Sequence, residues 1–498
     1  MTIDLYFFAI TICYYDIIEQ VIHMEKYKFS LDKKDIPKYL QIYIKIKEMI
    51  QNGELEKNEK LPPIRKLANI LSVNNNTIVK SYELLENEGF IYKIVGSGSY
   101  ISEIKKYREE VSINLNEEII SFDIGNPSLE IFPVEDFKKA INMAVEKEGP
   151  SLFDYDEGLG YFNLREAICD YLRSFDIYSN PQKIQIISGA QQGIDIICKT
   201  LINYGDVIFC EEPTYNGALE VFKTKGAKVI QIPLLKDGID LGILKLKLEK
   251  IRPKLIYVMP NFQNPTGISY SKEKKQKLIN LAKEYDFYIL EDDFLSDFKF
   301  YSNDNKTLKS YDNCERVIYI KSFSKILMPG LRIGFMDIPK GILNKVIWAK
   351  YSSDISTSSL VQKSLYYYMR HFNLKIHLKN LEQTYRIRFD KMKELIEDKF
   401  EGKLDFSIPS GGINFFLALP KGYSSIDFRN YLLDYGVSIL PGSYFFDNPI
   451  EDRFFRLNIA STNIEKIEKG IDIINDKLDD FLMKHKNNID FKNNRLFF

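Results

Sequence analysis

Lys325 stands between two hydroxyls and a downstream arginine in the run Ser322-Phe323-Ser324-Lys325-Ile326-Leu327-Met328-Pro329-Gly330-Leu331-Arg332, just after the apolar stretch Val317-Ile318-Tyr319-Ile320. A lysine that condenses with an aldehyde must first lose its proton, and burial near other cations favours that loss. Ser322 and Ser324 offer hydrogen-bond donors to a phosphate dianion, and Arg332 offers a planar fork. A nucleophilic lysine beside a phosphate grip is the pair that pyridoxal 5′-phosphate (PLP) requires. The S-x-S-K pattern alone is common in loops, so the weight falls on what the rest of the chain supplies.

Four further stretches supply matching groups. Ser188-Gly189-Ala190-Gln191-Gln192-Gly193 follows an apolar run and opens a helix, so its backbone amides suit a phosphate at the positive helix end. Such a Gly-rich turn is also an ordinary strand-to-helix connection. Tyr215, in Glu212-Pro213-Thr214-Tyr215, can stack on a flat heterocycle or simply pack. Asn264, within Asn261-Phe262-Gln263-Asn264-Pro265-Thr266-Gly267, offers a donor to a phenolate oxygen. Asp292, in Glu291-Asp292-Asp293, offers a carboxylate to a pyridinium nitrogen, an ion pair that keeps such a ring electron-accepting. An aspartate after a strand also suits a helix N-cap.

These groups sit after short β-branched runs. Ile184–Ile187, Asp206–Phe209, Lys228–Gln231, Leu255–Met259 and Tyr288–Leu290 are strand candidates, separated by helical patterns. Strands alternating with helices predict a mostly parallel α/β sheet, whose ligands bind beyond the strand carboxyl ends. The mixed-charge stretch 104–118 has no periodic apolar face and reads as a linker.

With 498 residues the chain has room for two or three domains. A net charge of −1 excludes a globally basic nucleic-acid binder, yet residues 33–106 carry thirteen Lys and Arg against nine Asp and Glu. The five cysteines are scattered and never spaced C-x-x-C, which argues for a reducing cytoplasm and against zinc or a disulfide framework; no metal is expected. No apolar run reaches the length of a membrane span. Leu5 to Ile18 is apolar but lacks the basic flank and cleavage site of a signal peptide. Residues 1–33 therefore read as an N-terminal extension, with Met24 an alternative start.

Residues 34–103 read as helices followed by a hairpin. Leu40, Ile44, Ile46 or Lys47, and Ile50 recur at helical spacing. A helix over Leu61–Leu71 with prolines at its start, the turn Ser72-Val73-Asn74 and a helix over Asn75–Glu86 make a helix-turn-helix pattern, with Leu67, Leu71, Val73, Ile78, Tyr82 and Leu85 as packing face. Asn75, Asn76, Thr77, Lys80 and Ser81 would then face bases or phosphates of double-stranded DNA. Phe90–Val95, Gly96-Ser97-Gly98 and Ser99-Tyr100-Ile101 form a hairpin suited to a wing. The order L-P-x-x-R-x-L-A, turn, helix, E-G-F-I, G-S-G-S-Y resembles the GntR winged-helix family, which implies a DNA contact for Arg65.

From residue 119 to 485, Gly125-Asn126-Pro127, Tyr155 with Gly160, S-G-A-Q-Q, E-E-P-T-Y, N-P-T-G, E-D-D, S-F-S-K-x-x-x-P-G-x-R and Arg456 occur in an order that resembles a fold-type I aminotransferase. The resemblance implies an α/β fold-type I PLP-dependent transferase domain, a mostly parallel sheet flanked by helices with a smaller C-terminal α+β subdomain. It implies Lys325 as the Schiff-base lysine, Asp292 and Asn264 as partners of the ring nitrogen and ring oxygen, and Tyr215 as the stacking ring. Ala190, Gln191, Ser322, Ser324 and Arg332 would hold the phosphate, and Tyr155 would be lent across a dimer to the neighbour's phosphate. Arg456 and Gly125 would meet a substrate or effector, Arg456 gripping its carboxylate, while nearby Arg453 is the surface arginine. One position departs: relatives carry tyrosine where this chain has Phe294. Loss of that phenol removes a donor from the ring oxygen, which predicts a raised aldimine pKa and slow transamination.

The two modules in this order resemble the MocR family of transcription regulators. That resemblance implies a cytoplasmic homodimer in which PLP, or its external aldimine with an amino acid or amine, alters operator binding. The alternative is a working PLP-dependent aminotransferase that carries a DNA-binding domain, and a third reading is a regulator that has abandoned PLP. Effector, operator and direction of regulation are not written in the motifs.

Overall fold

The structure, a computed structural model, describes residues 26–31, 37–51, 54–55, 59–87, 90–94, 98–101, 119–298, 300–301, 306–447 and 452–493. The chain divides into two compact units, Met1–Glu117 and Glu118–Phe498. The linker over 104–118, the Met24 start and most of the glycine turn lie outside the described residues.

In the first unit, α1 (Lys38–Gln51), α2 (Ile64–Ile70) and α3 (Asn75–Asn87) precede an antiparallel hairpin of β1 (Ile91–Ile94) and β2 (Gly98–Ile101), with Ile91 opposite Ile101. Pro63 sits at the N-cap of α2, where the amide a proline lacks has no helical partner in any case. The turn to α3 passes through Ser72 at φ +51°, and the Asn74 side-chain oxygen accepts the Asn76 N–H at 2.9 Å, capping α3. Leu67, Leu71, Ile78, Tyr82 and Leu85 form one core with Ile42, Ile46, Met49, Ile91 and Ile101. Two sequence expectations are corrected here. Ile44 points to solvent, because the buried stripe of α1 runs through Ile42, Tyr43, Ile46, Met49 and Ile50. Tyr27 is fully buried in this core, with Phe29 and Leu31 packed on it, so the packed unit begins upstream of residue 34.

The second unit is built on β3 (Ile120–Ser121), β4 (Ile184–Ile187), β5 (Val207–Glu212), β6 (Lys228–Leu235), β7 (Gly238–Ile239), β8 (Leu255–Val258), β9 (Tyr288–Asp293), β10 (Val317–Ser322) and β11 (Gly334–Asp337). Eight of them form one sheet in the order β4-β11-β10-β9-β8-β5-β6-β7. The run from β10 through β6 is parallel; β11 and β7 run against it, and β4, antiparallel to β11, runs with it. Strands β4, β8 and β10 are buried along their whole length, as both-face coverage by helices requires. Alternation along β10 sends Ile318 and Ile320 into one apolar cluster and Tyr319 into another.

A smaller antiparallel sheet follows, from β12 (Asp405–Phe406), β13 (Asn414–Ala418), β15 (Leu440–Pro441) and β16 (Phe454–Asn458), in the order β12-β13-β16-β15. Its register sets Asn414 opposite Asn458 and Phe416 opposite Arg456. Strand β14 (Val437–Ser438) pairs in parallel with β3, tying the start of the unit to this subdomain.

Candidate cofactor pocket and nucleic-acid interface

A cavity of about 320 Å³ opens beyond the carboxyl ends of the parallel strands. Its lining gathers Gly125, Ala190, Gln191, Tyr215, Asn264, Asp292, Ser322, Ser324, Lys325, Arg332 and Arg456 from segments as much as 331 residues apart in the sequence. Tyr155 is not among them; it is 76% exposed.

Lys325 ends the short turn that follows β10. Its Nζ donates to the Gly125 carbonyl at 2.5 Å and lies 3.4 Å from Asn126 Oδ1. Burial first, then the charges of Arg456 and Arg332, push its ammonium down to about 8. Lysine is thereby close to the free-amine form that condensation with an aldehyde needs.

On one side of Lys325 lies an anion cradle. Ser322 Oγ is 2.9 Å from Ser324 Oγ, and helix α4 (Ala190–Leu201) presents its N-terminus. Arg332 Nη2 donates to the Ser188 carbonyl at 3.3 Å. Gly189 lies at φ +94°, and a Cβ there would come within 2.7 Å of Arg332 Nη2, so glycine is required twice over. Gln191 Nε2 donates to the Gly217 carbonyl at 2.7 Å, while its buried Oε1 finds no partner. Hydroxyls, a guanidinium and a positive helix end at one spot suit a phosphate.

On the other side, Asp292 ends β9 and accepts the Tyr257 O–H at 2.7 Å. Burial raises this carboxyl to about 6, with Asp293 adding to the rise and the Tyr257 bond and Lys321 opposing it. A cationic ring nitrogen would supply the countercharge this buried acid lacks in the pocket. Asn264 Oδ1 accepts from Arg456 Nη1 at 2.9 Å. A guanidinium only donates, so the Asn264 oxygen must face it and the amide N–H groups are left to face the pocket. Arg456 is buried, donates through Nη2 to the Asp123 carbonyl at 2.6 Å and stacks over Phe445 at 5.5 Å. Its Nε has no partner among the described residues, and burial pushes the group down to about 10. Arg453 instead pairs with exposed Asp405 at 2.6 Å. Phe294 contributes only an apolar ring to the lining.

The donor set fits PLP: an amine, a dianion cradle, an acid for a ring nitrogen and an amide for a ring oxygen converge on one cavity. Tyr257, Asn414 and Asn458 also take part without having been singled out from the sequence, as does Asn126, which the Gly125-Asn126-Pro127 motif contained but gave no role.

In the first unit, Arg65, Asn75, Asn76 and Lys80 are exposed and Thr77 is half-buried. Ser81 departs from the expectation: it has no exposure, and its Oγ lies 2.8 Å from each of the Tyr39 and Thr77 carbonyl oxygens, which share its single hydrogen. Its place in α3 turns it toward α1 rather than outward. Lys66 and Asn69, on the same helix as Arg65, are also exposed. If Arg65 and Lys80 each meet a phosphate, replacing either by alanine is expected to lower the slope of log affinity against log salt by about 1. Ser81→Ala is expected to leave that slope unchanged. Titrations at several salt concentrations read both. No helix among the described residues is long and apolar enough to cross a membrane.

A family model for aminotransferases of class I and II matches residues 117–474, and one for bacterial regulatory proteins of the gntR family matches residues 38–101. An uncharacterized HTH-type transcriptional regulator of Bacillus subtilis, YcxD, is 29% identical over 88% of this chain and 99% of its own. A probable rhizopine catabolism regulatory protein, MocR, of Rhizobium meliloti is 27% identical over 71% of this chain and 76% of its own. The crystal structure of a Pyrococcus horikoshii kynurenine aminotransferase in complex with PMP superposes with a TM-score of 0.70 at 33% identity, covering 74% of this chain and 92% of that one.

Proposed function

From a chain that belongs to the aminotransferase class I and II family and carries a GntR-family DNA-binding module, we infer a MocR-like transcription regulator whose DNA binding answers to PLP and to an amino acid or amine. The observation that carries this reading is the pairing, on one chain, of a helix-turn-helix with an exposed polar face and a lysine pocket matched to PLP. The likeness to YcxD, which is named an HTH-type transcriptional regulator, spans 88% of this chain.

When bound, PLP supplies an electrophilic aldehyde and an electron-accepting ring. Lys325 would be the residue that holds the cofactor, and Ser322, Ser324, Arg332 and the amides of Ala190 and Gln191 would hold its phosphate. Asp292 keeps the ring nitrogen protonated, Asn264 donates to the ring oxygen and Tyr215 stacks. Arg456 takes the effector's carboxylate beside Gly125. The protein works as a cytoplasmic homodimer in which exposed Tyr155 reaches the partner's phosphate site. Ligand shifts DNA affinity only as far as it prefers one domain arrangement over another.

Fluorescence anisotropy on the DNA upstream of the protein's own coding sequence, with and without PLP, tests this. Sequence-dependent binding that PLP or an added amino acid shifts is expected; absence of specific binding overturns it. The completeness of the pocket favours a second reading, a working aminotransferase, which multiple-turnover exchange between an amino acid and a 2-oxo acid would establish. Phe294 weighs against that reading, because it offers the ring oxygen no donor. Phe294→Tyr is therefore expected to lower the pH midpoint of the bound cofactor's absorption band and to speed any exchange, both readable by spectrophotometry.

A further inference from the structure

Glu211, at the end of β5, has no exposure and no contact with the cavity, yet it joins two of the loops that form it. Its Oε1 accepts the Tyr270 O–H at 2.7 Å and the Met259 N–H at 3.1 Å, and its Oε2 accepts from Gln263 Nε2 at 3.1 Å. The same Gln263 Nε2 donates to the Pro213 carbonyl at 2.7 Å. Gln263 Oε1 accepts the Thr266 N–H at 3.0 Å and its hydroxyl at 2.7 Å. A backbone N–H only donates, so the orientation of the Gln263 amide is fixed and its nitrogen must face Glu211.

The network spans two strand ends. Pro213 leads into Tyr215, and Gln263 is the residue before Asn264. Met259 N–H and Gln263 Nε2 can only donate to Glu211, and Tyr270 O–H donates as it stands, so the carboxylate takes all three bonds in this arrangement. A protonated carboxyl would keep three bonds only by turning its hydrogen onto the Tyr270 oxygen and displacing that hydroxyl's own hydrogen, and rearranging a buried network is costly.

We propose that Glu211, acting through Gln263 and Tyr270, is a positioning group that holds Tyr215 and Asn264 at the separation a pyridine ring requires between its face and its ring oxygen. The proposal rests on the PLP reading of the pocket. The titratable groups around Glu211 are Tyr270, Tyr257 on β8, Cys210 on β5 and Asp292 on β9. Burial, with a smaller push from Asp292, raises Glu211 to about 7 against the pull of its donors, so the staple is ionised above that pH and is lost as pH falls through it.

The test uses the full chain and pyridoxamine 5′-phosphate, whose amine forms no bond with Lys325, in equilibrium titrations followed by absorbance. Glu211→Gln places an amide N–H against donors and is expected to weaken binding about 10-fold or more. Asn264→Ala also weakens binding, and the double variant is expected to lose less than the product of the two effects, because both act on one contact. Wild-type affinity is expected to fall as pH drops through about 7, and Glu211→Gln to lose that inflection. Effects that multiply, or a Glu211→Gln variant that binds as wild type, overturn the proposal. If Glu211→Gln does not fold, Tyr270→Phe removes one donor without disturbing charge; it is expected to weaken binding severalfold, and wild-type affinity there overturns the proposal equally. A wild-type chain that binds no pyridoxamine phosphate would instead bring down the PLP reading, and the positioning role with it.

Discussion

Lys325→Ala abolishes the absorption band that the chain acquires on incubation with PLP, and with it any PLP-dependent change in DNA affinity. Among the described residues the Lys325 amine bonds only the Gly125 carbonyl and Asn126, so its removal leaves the fold of the large unit in place, which far-ultraviolet circular dichroism checks. The pH dependence of the wild type makes the same point. With the ammonium pushed down to about 8, the rate at which the band appears should rise with pH until about 8 and then level off. Each pH unit below that removes about nine-tenths of the free amine. A band that persists in the alanine variant, or a rate that still climbs at pH 10, removes Lys325 from this role.

Removing the buried ammonium has a consequence for stability with its own sign. Because the folded state holds the Lys325 proton less tightly than the unfolded chain, stability rises with pH between about 8 and the ordinary lysine value of 10.5. Below that window the burial cost is present in full. Lys325→Met, which keeps the volume, should raise the melting temperature of the cofactor-free chain at pH 7.

Arg456→Leu is the second large effect. The guanidinium has Nη1 on Asn264 and Nη2 on the Asp123 carbonyl, with Nε unpaired in a buried site. A carboxylate would relieve the desolvation that pushes this group down to about 10. Truncating one side of such a buried charge pair costs about 2–5 kcal/mol, so the concentration of amino acid needed to shift DNA affinity should rise at least about 30-fold. Amines without a carboxylate should lose much less. An equal loss for both classes would place the carboxylate elsewhere.

The motifs were legible because each carries its chemistry within a few residues. Lys325 with its serines and Arg332 fits inside eleven positions, and a parallel sheet delivers such segments to one edge by its topology. What was not legible depends on register. Tyr257 meets Asp292 because β8 and β9 pair Tyr257 with Leu290 and Val258 with Glu291, and nothing local announces that pairing. Asn414 and Asn458 come together across β13 and β16 for the same reason. Ser81 misled because a hydroxyl in a polar helix looks exposed until the angle to α1 is known. Ile44 misled because its own face is broken by Lys47 and Glu48, while the buried stripe of α1 runs through Ile42, Tyr43, Ile46, Met49 and Ile50.

The shared hydrogen bond between Arg456 and Asn264 couples two properties of the pocket. On the proposed reading, the side chain offered to an effector's carboxylate would also be the one that aims the amide at the cofactor's oxygen. A variant library screened for tighter ligand capture will therefore also drift in colour, and one screened by colour will drift in selectivity. For anyone building a biosensor from this chain, the optical signal and the ligand range are a single design variable.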